Sequence, residues 1–249
     1  MAKPQQDLNI LYGRHPVVDA LNNGVPLEKV LLQKGIRGEM EKELRHLCKA
    51  AEVPMLVIPK ERLKRYTNGN HQGVVALQAL IRYQKIEDIL PIVFERSETP
   101  LFVLLDGVTD VRNFGAIART AEVCGAHALV ITQKNSAQIN PEAMKTSAGA
   151  LNTIPVCREK SLITVIEYLQ QSGIQVLASD LQATHPIYDL DLTAPVAFIL
   201  GAEGEGISPA VARKANQTFI IPQSGQTDSL NVSVAGGMML YEAMRQRGQ

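Results

Sequence analysis

Cysteine is scarce in this 249-residue sequence, and its three cysteines lie far apart. Cys48, Cys124 and Cys157 are odd in number and form no Cys-x-x-Cys pair, so neither a disulfide framework nor a zinc site is expected. We predict three buried free thiols instead. The histidines His46, His127 and His185 are isolated from other ligand-type residues, and no metal site is predicted around them.

Long apolar runs are also missing. No apolar stretch reaches the roughly 20 residues that a helix needs to cross a bilayer. The first eight residues are polar and lack the apolar segment of a secretory leader. These absences favour a cytoplasmic protein without a membrane partner.

The chain has no excess of charge of either sign, since 25 Lys and Arg balance 25 Asp and Glu. This balance argues against a strongly basic protein that coats nucleic acid regardless of sequence. The distribution is slightly uneven. Residues 1–98 hold 15 basic and 12 acidic residues, whereas residues 99–249 hold 10 and 13. The N-terminal part is therefore the better candidate for contact with a polyanion.

From Leu101 onward the sequence contains fully apolar segments separated by helical patterns, which is typical of parallel strands covered on both faces. The predicted strands are 101–105, 128–131, 176–178, 196–200 and 219–221, and the predicted helices are 114–124, 141–146, 162–171, 209–214 and 232–247. This alternation predicts the α/β class, with a mostly parallel C-terminal sheet.

The N-terminal part of the chain, residues 9–82, has a pattern of shorter alternating strands and helices. About 75 residues of this pattern are enough for a small α/β domain. We predict one domain over residues 1–82, a linker over 83–98 that carries a short amphipathic helix, and a second domain over 99–249.

Two places in the small domain could bind a polyanion. Arg14 and His15 follow a glycine at a predicted strand-to-helix turn, where free N–H groups and a cation suit a phosphate. Lys64 and Arg65 belong to a basic stretch that precedes the loop 67–73. The alternative is a solvated charged face beside an ordinary loop.

Three turns of the second domain carry polar groups or glycines. The first spans 106–115 and leads into a helix with Arg119; Asn113 is predicted to cap this helix. On pattern alone, Arg119 could equally be a surface residue paired with Glu122 or Glu203.

The second turn, 200–208, follows an apolar strand, and its three glycines would let a ligand approach the backbone closely. The third, 228–235, opens the last helix with a hydroxyl, a carboxamide and free N–H groups. Neither turn matches the glycine fingerprint of dinucleotide-binding folds, a nucleotide-binding lysine loop or the nucleophile elbow of serine hydrolases.

Together, in this order and spacing, the three turns resemble the three motifs of the SpoU (TrmH) family. The matching residues are Asn113-x-Gly115-x-Ile117-x-Arg119, Leu200-Gly201-x-Glu203-x-x-Gly206, and Ile221-Pro222 followed by Ser229-Leu230-Asn231-Val232-Ser233-x-Ala235. The resemblance covers roughly residues 99–249. The front looks like the family's small substrate-binding domain, which is similar in fold to ribosomal protein L30e. Two fragments, Tyr12-Gly13-Arg14-His15-Pro16-Val17 and His71-Gln72-Gly73-Val74, bring the chain close to the branch that modifies a guanosine of 23S rRNA.

The family transfers methyl groups from S-adenosylmethionine to ribose 2′-hydroxyls of RNA, and the resemblance implies the same function and cofactor here. It implies catalytic roles for Arg119, Asn113, Glu203, Ser229 and Asn231. It implies cofactor contacts for Leu200, Gly201, Ile221, Ser229 and Leu230. The candidates for RNA contact are Arg14, His15, Lys64, Arg65 and His71. The resemblance also implies a trefoil knot near the C-terminus and a homodimer through the second domain. No metal is needed, because a sulfonium is already a good leaving group.

Two alternatives stay open at this stage. A sister branch of the family methylates tRNA, although its enzymes generally lack the N-terminal domain. The chain could also be a ribosome- or RNA-binding protein that keeps the fold without catalysis, against which the intact motif residues argue.

Overall fold

The structure is a computed structural model, and it describes residues 10–225 and 229–248. These residues divide into two compact units. One comprises residues 10–82 with 139–141, and the other comprises residues 83–138, 142–225 and 229–248.

The first unit is a four-stranded sheet with three helices. Its strands are Ile10–Tyr12 (β1), Leu27–Gln33 (β2), Met55–Ile58 (β3) and Val74–Gln78 (β4), and its helices are Arg14–Asn22 (α1), Glu39–Ala50 (α2) and Lys60–Leu63 (α3). The strand order is β1-β4-β2-β3. Strands β2 and β3 run parallel, and the other two pairs are antiparallel.

Strict alternation of side chains gives this sheet two apolar faces. In β2, Val30 and Leu32 pack with α1 and α2, whereas Leu31 lies on the opposite face beside Leu63 of α3. Strands β1 and β4 alternate in the same way, so α3 covers the face that α1 and α2 leave open.

The second unit is built on a six-stranded sheet. Its strands are Leu101–Asp106 (β5), Ala128–Thr132 (β6), Val156–Glu159 (β7), Gln175–Ser179 (β8), Val196–Gly201 (β9) and Gln217–Phe219 (β10). Its helices are Ile86–Glu95 (α4), Val111–Val123 (α5), Pro141–Thr146 (α6), Leu162–Gln171 (α7), Pro209–Ala212 (α8) and Val232–Gln246 (α9). The strand order is β10-β8-β9-β5-β6-β7, and every neighbouring pair is parallel. The prediction of an α/β fold with a mostly parallel sheet is confirmed.

Strand β7 has no counterpart among the predicted strands, because two charged residues end it. Both are buried, and their partners lie in the segment before α4 and at the first residue of that helix. The guanidinium of Arg158 lies 3.8 Å from the ring centroid of Tyr83, and a carboxylate oxygen of Glu159 accepts the N–H of Ile86 at 3.0 Å. Burial of this charged pair depends on partners more than seventy residues away in the chain, which a local pattern does not reveal.

The final strand is displaced from its prediction over 219–221. Strand β10 ends at Phe219, and Ile220 forms only an isolated bridge with Pro186. Ile221 therefore belongs to a loop, where its backbone is free of the sheet.

The segment predicted as a linker, 83–98, carries α4. Ile86, Leu90 and Val93 of this helix are buried in the same core cluster as Phe102 and Leu104 of β5. The helix is thus part of the core of the second unit. The domain boundaries themselves stay a prediction.

Helix α9 is fixed at its C-terminal end by Arg247. The guanidinium donates hydrogen bonds to the backbone carbonyls of Thr99, Pro100, Leu192 and Ala194, at 2.9–3.1 Å. Nearer its start, α9 packs against β9, because an added Cβ at Gly236 would lie 2.9 Å from Cδ1 of Leu200. These contacts determine where the N-terminal end of α9 lies.

The three cysteines are buried free thiols, as predicted. Burial raises the pKa of Cys48 to about 11, so its thiol is a poor nucleophile. Across residues 10–225 and 229–248, no helix is long and apolar enough to cross a membrane. The trefoil knot stays a prediction.

Candidate active site

The central strands of the large sheet bring two of the three turns together. Strands β5 and β9 are neighbours, and Asp106 at the end of one lies in register with Gly201 at the end of the other. The carboxyl ends of parallel strands are where ligands bind in open α/β sheets. The Asp106 carboxylate also accepts the N–H of Ser208 at 2.8 Å, which fixes the far end of the turn after β9.

The first turn leads into α5, and the N-cap of this helix is Asp110 rather than Asn113. Its carboxylate accepts the N–H groups of Arg112 and Asn113 at 2.9 and 2.8 Å. The prediction that Asn113 is the N-cap was wrong, because the aspartate three residues earlier takes the free donors first. Asn113 lies inside the first turn of α5, and its side chain is free to make other contacts.

The second turn is closed on itself. Ala202 and Gly206 exchange two backbone hydrogen bonds, at 3.0 and 2.8 Å. Gly204 and Gly206 have φ of 84° and 72°, in the left-handed region that favours glycine. An added Cβ at Gly201 would lie only 2.1 Å from the carbonyl carbon of Gly206. Backbone therefore packs directly on backbone here.

The third turn leads into α9, whose N-cap is Asn231. Its Oδ1 accepts the Ser233 N–H at 3.0 Å and the Ser233 hydroxyl at 2.6 Å. The predicted stretch begins at Asp228, which lies outside the described residues. Ser229 is exposed and Leu230 is half-buried.

A hydrogen-bonded cluster joins the three turns. Asn113 Nδ2 donates to Glu203 Oε2 at 3.1 Å. Asn231 Nδ2 donates to Asn113 Oδ1 at 3.0 Å and to Glu203 Oε1 at 3.2 Å. Three residues from three distant parts of the chain thus converge, and the Glu203 carboxylate fixes both carboxamides. We call Asn113, Glu203 and Asn231 the Asn–Glu–Asn cluster.

Arg119 lies on α5, six residues after Asn113, but its side chain forms no hydrogen bond with the Asn–Glu–Asn cluster. Its side chain is exposed, and it forms no ion pair with any residue that the structure describes, Glu122 and Glu203 included. Arg112, on the same helix, is paired with Glu142 at 2.6 Å. By the helical period, Arg119 points to the side of Arg112 rather than directly over Asn113. Its charge is therefore available to an anionic ligand.

The residues implied for the cofactor lie on the ends of the same turns. Leu200 and Gly201 are buried at the end of β9, and Ile221 is half-buried. The backbone of 221–225, like that of Ser229 and Leu230, forms no hydrogen bond within the described part of the chain. Backbone groups without partners in the described part of the chain, beside apolar side chains and the small Ser224 and Gly225, suit an adenosine, so the residues present fit the cofactor.

The structure places the candidate RNA residues of the first unit in different environments. Arg14 is paired with Glu43 at 2.8 Å. His15, Lys64 and Arg65 are exposed, and His71 accepts the N–H of Gly73 through Nδ1 at 2.9 Å. This ion pair makes Arg14 a weaker candidate for a phosphate contact, because the Glu43 carboxylate already neutralises its charge.

Sequence reasoning missed Asp106 and Asp110, which shape the first two turns. Each is an acidic residue directly after or shortly after an apolar strand. That position at the carboxyl end of a parallel strand could have indicated a role in shaping the site. Among the residues described here, no group of three or more His, Cys, Asp or Glu side chains could hold a metal ion.

The cluster predicts unequal effects for two glutamates of one turn. Glu203→Ala removes the acceptor shared by both carboxamides and should lower any catalytic rate at this site roughly 10- to 100-fold, because the groups that it positions are displaced. Glu205→Ala is the matched control: the residue is exposed in the same turn, carries the same charge and has no partner among the described residues. Steady-state rates of both variants check this, and equal losses would mean that the cluster has no specific role.

Known proteins match the chain over both units. Residues 100–241 match the SpoU rRNA Methylase family, and residues 10–84 match the RNA 2′-O ribose methyltransferase substrate-binding domain. YacO of Bacillus subtilis, named for the TrmH family of tRNA/rRNA methyltransferases, is 31% identical over 243 residues, which are 97% of each chain. The chain therefore belongs to the SpoU/TrmH family of RNA methyltransferases.

Solved structures agree with this assignment. The SpoU methyltransferase AviRb of Streptomyces viridochromogenes, solved with AdoMet, has a TM-score of 0.61 at 26% identity, covering 96% of this chain and 90% of its own. An AdoMet-bound rRNA methyltransferase of Sinorhizobium meliloti has a TM-score of 0.60 at 27% identity, covering 95% and 86%. A TrmH/SpoU tRNA modifying enzyme of A. aeolicus has a TM-score of 0.56 at 30% identity, covering 61% and 77%.

Proposed function

We propose that this protein transfers the methyl group of S-adenosylmethionine to the ribose 2′-hydroxyl of a guanosine in 23S rRNA. The observation that carries the proposal is the Asn–Glu–Asn cluster, which joins the three turns into one site at the carboxyl end of the parallel sheet. Arg119, which has no ion pair among the described residues, supports it further, because the reaction needs a cation near a developing oxyanion.

S-adenosylmethionine would supply a methyl group already activated by the positive sulfur. The chain must then hold donor and acceptor in line and stabilise the alkoxide as it forms. The backbone groups of Ile221, Ser229 and Leu230, which have no hydrogen bond among the described residues, would bind the adenosine part together with the buried end of β9 at Leu200 and Gly201.

Arg119 acts in this proposal as a fixed cation. A guanidinium stays protonated in nearly any protein site, so it does not remove the proton of the hydroxyl. It grips the adjacent phosphate and stabilises the negative charge on the 2′ oxygen. The proton leaves through the phosphate or water.

Asn113, Glu203 and Asn231 serve mainly as positioning residues. Both carboxamides are engaged by the shared carboxylate, and Asn231 also caps α9. They fix the start of α5, which carries Arg119, relative to the turn that carries Ser229. Ser229 is exposed, and its hydroxyl is available to a ligand.

The first unit supports rRNA rather than tRNA as the substrate. The rRNA methyltransferase of Sinorhizobium meliloti aligns with 95% of this chain, whereas the tRNA modifying enzyme of A. aeolicus aligns with 61%. The match of residues 10–84 to a substrate-binding domain gives this chain a second surface for a large RNA.

We also propose that two copies pair through α9. Val234, Met238 and Tyr241 are exposed at 47%, 45% and 57%, and their spacing puts them along one side of the helix. Val123, at the end of α5, is 70% exposed. A second copy of the same chain is the occupant that family membership favours, and methionine adapts well to such contacts.

The substrate assignment predicts one product in one RNA. The purified protein, incubated with S-adenosylmethionine carrying a labelled methyl group, should label large-subunit rRNA and leave tRNA and small-subunit rRNA unlabelled. Nucleoside mass spectrometry should then identify 2′-O-methylguanosine. Labelled tRNA would instead assign the chain to the branch of the family that methylates tRNA. Cofactor binding without any labelled RNA would favour an RNA-binding protein that has no methyltransferase activity.

A further inference from the structure

One face of the small sheet carries four basic residues and one acidic residue, Glu61, on a single short segment. Lys60, Arg62, Lys64 and Arg65 are exposed on α3 and the turn after it. None of them forms an ion pair or a side-chain hydrogen bond within residues 10–225 and 229–248. Leu63, between them, is fully buried against the sheet and anchors the segment. The four cations are therefore held on a fixed element.

On the opposite face of the same sheet, two arginines are neutralised. Arg14 pairs with Glu43 of α2 at 2.8 Å, and Arg45 pairs with Glu41 at 2.7 Å. A polyanion gains most where its charge meets cations that have no partner. Lys42 and Lys49 of α2 also have no ion pair among the described residues, but they lie seven residues apart, whereas the side of α3 gathers four such cations within residues 60–65. The side of α3 is thus the better site for phosphates.

An exposed aromatic ring lies on the same side as α3. Ile10 packs in the cluster that contains Leu63, and Tyr12, two residues further along β1, shares its face of the sheet. Tyr12 is 43% exposed. The hydroxyl end of its ring lies over Gly69, where an added Cβ would be 2.6 Å from Cε2 of the tyrosine. A side chain at position 69 would therefore push the ring away from the loop.

The loop under that ring is held by specific contacts. The Gly69 N–H donates to Thr67 Oγ1 at 3.1 Å. Gln72 has φ of +48°, and its Oε1 accepts the Arg14 N–H at 3.2 Å. Gly73 has φ of +80°, and an added Cβ there would meet Ile36. A loop fixed in this way loses little freedom when a ligand binds.

We propose that this surface, which we call the α3 face and define by Tyr12, Lys60, Arg62, Lys64 and Arg65, binds an unpaired segment of the substrate RNA. A base stacks on Tyr12 and the cations hold the phosphates on either side. The inference rests on the proposed function and adds the form of RNA that is recognised. Basic surfaces with an aromatic platform bind single strands, because the bases of a duplex are already stacked inside it.

Charge removal tests the phosphate contacts in the full-length protein. The probe is a fluorescein-labelled RNA oligonucleotide without secondary structure, followed by anisotropy over a range of salt. Lys64→Ala/Arg65→Ala should weaken binding about tenfold or more and reduce the slope of log affinity against log salt by about 1.4, for two lost contacts. The matched control is Lys42→Ala/Lys49→Ala, which removes two exposed cations from α2. Equal weakening by both variants overturns the proposal.

The aromatic platform is tested by comparing paired and unpaired RNA. Tyr12→Leu should lower affinity for the single strand about tenfold. The affinity for the same strand annealed to its complement should not change. Tyr12→Phe keeps the ring and should bind the single strand like the unchanged protein, which also separates stacking from any loss of folding. A Tyr12→Leu variant that binds both forms normally removes Tyr12 from the site.

These measurements need neither S-adenosylmethionine nor methyl transfer. The proposal about the α3 face can therefore be rejected without rejecting the proposed function, and the reverse is also true. Normal RNA affinity together with normal methylation in the Lys64→Ala/Arg65→Ala variant would reject the α3 face and leave the methyltransferase intact. Weakened RNA binding by a protein that never methylates rRNA would support the α3 face and reject the enzyme.

Discussion

Arg119→Ala should lower the rate of methyl transfer by about two orders of magnitude or more and leave the dissociation constant of S-adenosylmethionine unchanged. The side chain is exposed and has no ionic partner in the described part of the chain, so its removal leaves no buried charge behind. What is lost is the cation beside the forming alkoxide. Single-turnover rates at saturating RNA and cofactor measure this directly, with calorimetry for cofactor affinity.

Arg112→Ala is the matched control for Arg119→Ala. Both arginines are exposed on α5, but Arg112 is already paired with Glu142 at 2.6 Å. Its loss should leave the rate of methyl transfer close to that of the unchanged protein. If both substitutions reduce the rate to the same degree, a general loss of positive charge on α5 explains the result, and the specific role of Arg119 is wrong.

Gly201→Ala should disable the turn after β9. Its new Cβ would lie 2.1 Å from the carbonyl carbon of Gly206 and 2.2 Å from the nitrogen of Ile207, and neither backbone atom can rotate away. The turn must move as a whole, with Glu203 on it. We expect the free energy of unfolding to fall by about 1–3 kcal/mol. Methyl transfer should fall about 100-fold, because a displacement near 1 Å misplaces the reacting groups.

A second glycine of the same unit controls for the added methyl group. A Cβ at Gly237 on α9 would meet only Cγ2 of Thr120, at an ordinary 3.6 Å. Gly237→Ala should therefore raise the free energy of unfolding by roughly 0.5–1 kcal/mol, as expected for alanine in a helix. Urea unfolding and calorimetric titration with S-adenosylmethionine compare the two. Normal cofactor affinity in Gly201→Ala would show that this turn does not shape the pocket.

Most of the fold could be predicted because its strands are continuous apolar runs. Strands β5, β6, β8 and β9 are each found within one residue of the predicted bounds. Strand β7 could not be found in this way. Tyr83 receives Arg158 at the charged end of this strand, and Lys85 and the N–H of Ile86 receive Glu159. Such contacts depend on the folded chain, and no local period records them.

The candidate site was predicted as a set of turns, but its internal contacts were not. Asn113 fits a helix cap by residue type, and the sequence does not decide between it and Asp110. The structure gives the cap to Asp110, and the Asn113 carboxamide then bonds to Glu203 and Asn231. Arg14 shows the reverse case, since its glutamate partner, 29 residues further on, becomes visible only after α2 packs.

If the three turns form one cofactor pocket, Arg119 must lie beside the reacting methyl group. A crystal structure of the protein with S-adenosylmethionine would show whether it does. We predict an adenosine held by the backbone of Leu200, Ile221 and Leu230, and a methyl group facing the side of the pocket that Arg119 can reach. A cofactor bound away from these turns, or with its methyl group turned from Arg119, would contradict the account.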